Sequence, residues 1–125
     1  LRETPSPAIL PMPSKTFKEI VDESLKLINE FKKREKKEWP AEAIVIELQK
    51  QVGELSKHIM SREGYYINAR DKMENYNSSK EKIGDEMSDV LLMLIRLAHH
   101  YNIDLESEHL KQIELAYKWF KENEK

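Results

Sequence analysis

Residues 78–101 read SSKEKIGDEMSDVLLMLIRLAHHY, and they set the architecture expected for the rest of the chain. Ser78-Ser79-Lys80-Glu81 has the form of a capping box, in which a serine oxygen and a glutamate three residues on satisfy amides that a helix start leaves without partners. Ile83, Met87, Val90, Leu91, Leu94 and Ala98 then recur at intervals of three and four, the spacing of one helical face. A helix from Ser79 to about Tyr101 is predicted, with these six on its buried side. Asn102 suits the left-handed residue that closes a helix, and Asp104 can cap the next, whose apolar seam is Leu110, Ile113, Tyr117 and Phe120.

The preceding residues follow the same logic. Thr16-Phe17-Lys18-Glu19 is another capping box, followed by Phe17, Val21, Ser24, Ile28 and Phe31 at helical spacing and a helix expected to reach about Lys37. Trp39-Pro40 interrupts, and proline suits the first position of a new helix because its missing N–H has no partner there in any case. That helix carries Ala41, Ile44, Val45, Leu48, Val52, Leu55 and Ile59 until the pattern fades after Met60 into a long connection ending at Ser79. Four of the five prolines stand at 5, 7, 11 and 13, so residues 1–15 are expected to form an extended arm and residues 16–125 a helical domain. Nothing alternates with period two. The fold class expected is all-α, a four-helix bundle behind a Pro-rich N-terminal arm.

Composition narrows the function classes. With 21 basic and 23 acidic residues and a net charge of −2, no broad basic face is expected to hold a nucleic-acid backbone. The chain has no cysteine, hence no disulfide framework and no thiolate metal site. No apolar run approaches the roughly 20 residues of a membrane span, nor is there an N-terminal basic region followed by an apolar stretch. A cytoplasmic protein with no membrane partner is expected.

Groups able to do chemistry gather in two places. Glu47, Gln51, Glu54 and His58 form one stripe on the second helix, and Asp85, Glu86 and Asp89 lie on the third, both beside apolar seams. Carboxylates brought together and partly desolvated repel one another, a penalty removed by a divalent cation. Mg²⁺, a hard ion that takes oxygen ligands and bridges carboxylates to substrate phosphates, is the natural candidate, with Mn²⁺ as a substitute. Gly53 and Gly84 precede acidic residues inside good helices, which points to close helix packing at the acidic stripes. His99, His100 and His109 are expected at the surface, and His58 is expected to be a half-buried structural residue.

Val52-Gly53-Glu54-Leu55 and Ile83-Gly84-Asp85-Glu86-Met87-Ser88-Asp89-Val90-Leu91 resemble the paired helix motifs of the MazG-like nucleoside triphosphate pyrophosphohydrolase superfamily, over roughly Trp39 to Trp119. The resemblance implies that an E-x-x-E pair and an E-x-x-D pair bind Mg²⁺ and that a nucleoside or deoxynucleoside triphosphate is hydrolysed to a monophosphate and pyrophosphate. Glu86 and Asp89 fall on the second pair. The first reads Gln51-x-x-Glu54, with a neutral amide oxygen where the family has a carboxylate. The implied metal ligands are Gln51, Glu54, Glu86 and Asp89. Glu47, Glu54 and Asp85 are the candidate catalytic carboxylates, and Trp39, Lys57, Lys111 and Lys118 the candidate substrate contacts. Homodimers or homotetramers are implied as well. Two other readings stay open: a MazG-like relative that binds nucleotides or assembles without turnover, for which Gln51 speaks, and a plain bundle whose carboxylates pair with Lys50, Lys57 and Lys82.

Overall fold

The structure, a computed structural model, describes residues 13–76 and 78–124. They form five α-helices and one 3₁₀ turn: α1 Phe17–Lys32, α2 Ala41–Arg62, the four-residue α3 Asn68–Asp71, the turn Glu74–Tyr76, α4 Lys80–His100 and α5 Leu105–Asn123. No strand occurs among the described residues. Most of the expected N-terminal arm lies outside them; Pro13 and Ser14 are exposed and non-helical.

The local signals for helix ends work as their chemistry requires. The Thr16 hydroxyl accepts from the Glu19 N–H at 3.1 Å, and the Glu19 carboxylate accepts from the Thr16 N–H at 2.9 Å. Asp104 caps α5 by accepting from the Ser107 N–H at 3.0 Å. Asn102 has φ 55°, and the N–H groups of Asn102 and Ile103 donate to the carbonyls of His99 and Ala98, a Schellman closure of α4. Gly64, at φ 76°, closes α2 in the same way, with Gly64 and Tyr65 donating to Ser61 and Met60.

Three boundaries differ from expectation. α1 stops at Lys32, short of Lys37, because residues 32–38 (KKREKKE) offer no apolar face and Glu35 turns aside to pair with Arg96. Pro40 is the extended cap residue of α2, one place before the helix. The α4 cap falls on Ser79, whose hydroxyl accepts from the Lys82 N–H at 3.1 Å, one residue later than the predicted box. The connection between α2 and α4 also holds α3 and the 3₁₀ turn, elements too short to leave a periodic signal.

Two compact units make up the chain. One contains Trp39–Leu94, hence α2, α3, the 3₁₀ turn and most of α4; the other contains Lys15–Glu38 and Ile95–Lys125, hence α1, the last turns of α4, and α5. In the second unit Ile28, Ile95 and Ala98 are buried, and Arg96 is buried with its guanidinium on Glu35. In the first, the buried residues are Ile44, Met93, His58, Ser61, Ser78 and Glu86.

The buried faces of α2 and α4 are rotated from the predicted seams. Val45, Val52 and Ile59 are exposed on α2, as are Met87, Leu91 and Leu94 on α4. The α2 face that is covered runs through Ile44, Leu48, Gln51, Leu55, His58 and Ser61. Both helices carry apolar residues most of the way round, so hydrophobic spacing alone cannot select a face. Polar residues with partners on other segments occupy the enclosed side. Leu110, Ile113, Tyr117 and Phe120 of α5 are likewise exposed. Among the described residues, no helix is long and apolar enough to cross a membrane.

Candidate metal centre

The C-terminal half of α2 and the first turns of α4 place Glu54, His58 and Glu86 together. One ligand atom from each lies within 4.8 Å of the others. Glu54 and His58 are four residues apart, one helical turn on the same face. His58 is only 1% exposed and Glu86 5%. The His58 Nε2 stands 3.8 Å from Glu86 Oε1, too long for a hydrogen bond but close enough for charge attraction when the ring is protonated. A carboxylate and an imidazole enclosed this fully are costly unless their charges are compensated.

Lysines supply part of that compensation. Lys82 Nζ lies 3.2 Å from Glu86 Oε1, Lys57 Nζ 2.8 Å from Glu54 Oε2, and Lys50 Nζ 3.2 Å from Glu47 Oε1. These are the pairs of the plain-bundle reading, and all three are present. Each is a pair three or four residues apart on one helix, a class worth about 0.3–0.5 kcal/mol. That is small beside the several kcal/mol required to desolvate a carboxylate. Within the group that cost falls on the enclosed Glu86, since the Glu54 side chain is 40% exposed.

The fields around the group are uneven. The hydrogen bond from Lys57 holds the Glu54 carboxyl below its ordinary range. Burial, and then the neighbouring Glu86 charge, push Asp89 upward against the pull of Lys82. Two α4 carboxylates one turn apart thus feel each other, as an E-x-x-D pair must.

Other sequence-predicted residues are distributed around this centre to different degrees. Gln51 is half-buried on the α2 face that carries Glu54. Glu47 is occupied by Lys50, and Asp85 is exposed; neither joins the three-residue group. Lys57 borders the group through Glu54. Trp39 precedes α2 by two residues, about 22 Å along the axis from Glu54 at 1.5 Å per residue. Lys111 and Lys118 belong to α5 in the other unit, with Lys111 paired to Glu108 at 2.8 Å. The close packing expected at Gly53 and Gly84 is absent: a Cβ built at either meets nothing within 4 Å. His58, expected to be a half-buried structural residue, is fully enclosed, and its spacing of four from Glu54 brings it into the three-residue group. His99, His100 and His109 are exposed as expected.

The three donors suit a divalent cation. Two carboxylates satisfy a hard ion, and the imidazole nitrogen extends the set toward Mn²⁺ and softer first-row ions. No family model, curated protein or solved structure matches the chain. Site geometry and sequence motifs therefore carry the functional reading.

Proposed function

We propose that this protein is a divalent-metal-dependent nucleoside triphosphate pyrophosphohydrolase of MazG-like type. It would release pyrophosphate and a nucleoside monophosphate. The observation that carries the proposal is the convergence of Glu54, His58 and Glu86 from two helices within 4.8 Å, on helices bearing the Gln51-x-x-Glu54 and Glu86-x-x-Asp89 motifs. Glu54, Glu86 and His58 would hold the ion, with Asp89 one turn further along α4 and the Gln51 amide oxygen one turn back along α2. Mg²⁺ or Mn²⁺ supplies neutralisation of the charge that grows on phosphate oxygens and lowers the pKa of bound water. The reaction attacks a phosphorus with water, breaks its bond to the pyrophosphate oxygen, and sends the water proton to a carboxylate. Asp85 and Asp89, the remaining acids of the motif at 83–91, are the groups available for that proton.

The same reading takes the four long helices as a bundle of that type, places the protein in the cytoplasm among its nucleotide substrates, and makes it a homodimer or homotetramer. Exposed Leu110, Ile113, Tyr117 and Phe120 on α5 support self-association.

The test is pyrophosphate release from a panel of ribo- and deoxyribonucleoside triphosphates with Mg²⁺ or Mn²⁺, with Glu86→Gln alongside. Metal-dependent release that the substitution reduces at least a hundredfold supports the enzyme. The alternative, a nucleotide-binding or assembly protein without turnover, is favoured by Gln51, which offers the ion a dipole where the motif has a charge. Saturable binding of metal–triphosphate without release would establish that alternative.

A further inference from the structure

We infer that Lys57 and Arg70, gathered on the ring of Tyr76, form an anion-receiving site for the polyphosphate chain of the substrate. The ligand class rests on the hydrolase reading; the site itself rests on geometry beside the metal centre. Lys57 Nζ lies 5.2 Å from the centre of the Tyr76 ring while holding Glu54 Oε2 at 2.8 Å. Arg70 Cζ lies 5.9 Å from the same ring and 5.0 Å from that of Tyr66. The two rings meet edge to face at 5.4 Å and 89°. Two cations are thus brought to one aromatic ring, one of them already in contact with a carboxylate of the candidate metal centre.

The arrangement is fixed by its supports. Ser61, buried near the end of α2, donates to Asp71 Oδ1 at 2.8 Å, which ties α3 to α2. Arg62 donates to the Ser78 carbonyl at 3.0 Å, which ties the far end of the connection to the same helix. Tyr76 meets Lys57, Arg70 and the Tyr66 ring beside these ties.

The charges then point to the ligand. Ring faces attract cations, but two like charges on one ring repel, and Glu54 offsets only Lys57. A polyanion satisfies both: guanidinium and ammonium donors suit phosphate oxygens, the first in bidentate fashion. Arg70 is exposed and open to an incoming chain. Lys57 can exchange its Glu54 contact for phosphate, leaving that carboxylate to the cation.

Inorganic tripolyphosphate, titrated calorimetrically without divalent ions, isolates this site from catalysis. Wild type should bind, and Arg70→Gln, Lys57→Gln and Tyr76→Leu should each weaken binding about tenfold, while Lys72→Gln, on the same segment, should not. Circular dichroism and melting confirm that each variant is folded. Failure of the wild type to bind, or equal binding by folded Arg70→Gln, overturns the inference. Tripolyphosphate binding lost in Arg70→Gln, in a protein that cleaves no nucleotide, keeps this site and removes the hydrolase. Cleavage whose kcat/KM is unaffected by Arg70→Gln does the reverse.

Discussion

Glu35 and Arg96 are 61 residues apart and meet through two hydrogen bonds of 2.7 and 2.8 Å, with the guanidinium buried. Those bonds hold the Glu35 carboxyl below its ordinary value of 4.5 despite partial burial. Because the folded-state value is the lower one, the pair's pH-dependent stabilisation is complete above about pH 4.5 and is lost as pH falls through the folded value. Glu35→Gln should cost about 3 kcal/mol at pH 7, since it removes the charge that two short hydrogen bonds set against a buried guanidinium. The gap to wild type should narrow toward pH 3, as urea denaturation at several pH values would show. At the proposed metal centre, His58→Gln should weaken Mn²⁺ binding several-fold and Mg²⁺ binding less, since only the softer ion gains from the imidazole; calorimetry with each ion reads the ratio. Glu54 and Glu86 were legible in the sequence because a motif spacing singles them out, while Asp89, on the same spacing, is exposed and stands outside the three-residue group. The place of His58 beside Glu86 was not legible, because a lone histidine beside an apolar seam reads equally well as core. Arg70 and Tyr76 were invisible, since the contacts that define them come from the fold of the connection.

Helix ends were the most readable part of the chain, because a cap is a local bargain between one side chain and one or two amides. Thr16, Asn102 and Asp104 each act where the sequence places them. Asp104→Ala should destabilise by about 1 kcal/mol, measurable as a lowered thermal midpoint. Helix faces were less readable. From Val90 to Ile95 α4 is apolar at every position, and the enclosed side is marked by Glu86 and Arg96, whose partners His58 and Glu35 lie on other segments. The glycine reading failed for a related reason: a glycine shows that a Cβ is dispensable, not that something has taken its place. Gly84, inside α4 with open space around its missing Cβ, should accept alanine with a gain of up to about 1 kcal/mol in helix propensity. A melt of Gly84→Ala tests it, and a lower midpoint would show that a neighbour occupies the space.

The division between the two units falls between Leu94 and Ile95, in the middle of that same apolar run, where no change of composition could mark it. The all-helical class was legible throughout, from the absence of period two and the four recurring seams. With Leu110, Ile113, Tyr117 and Phe120 exposed on α5, the proposed self-association should appear in sedimentation equilibrium, and Phe120→Asp should weaken it at least tenfold. The tethering of α3 also bears on how the chain meets a protease. Trypsin must draw an arginine side chain into its own pocket and straighten the backbone around it. Arg70 is spread over two tyrosine rings, and the residue after it is held by Ser61. Exposed on paper, the Arg70–Asp71 bond should be cut slowly in the native protein and quickly once Ser61→Ala releases α3.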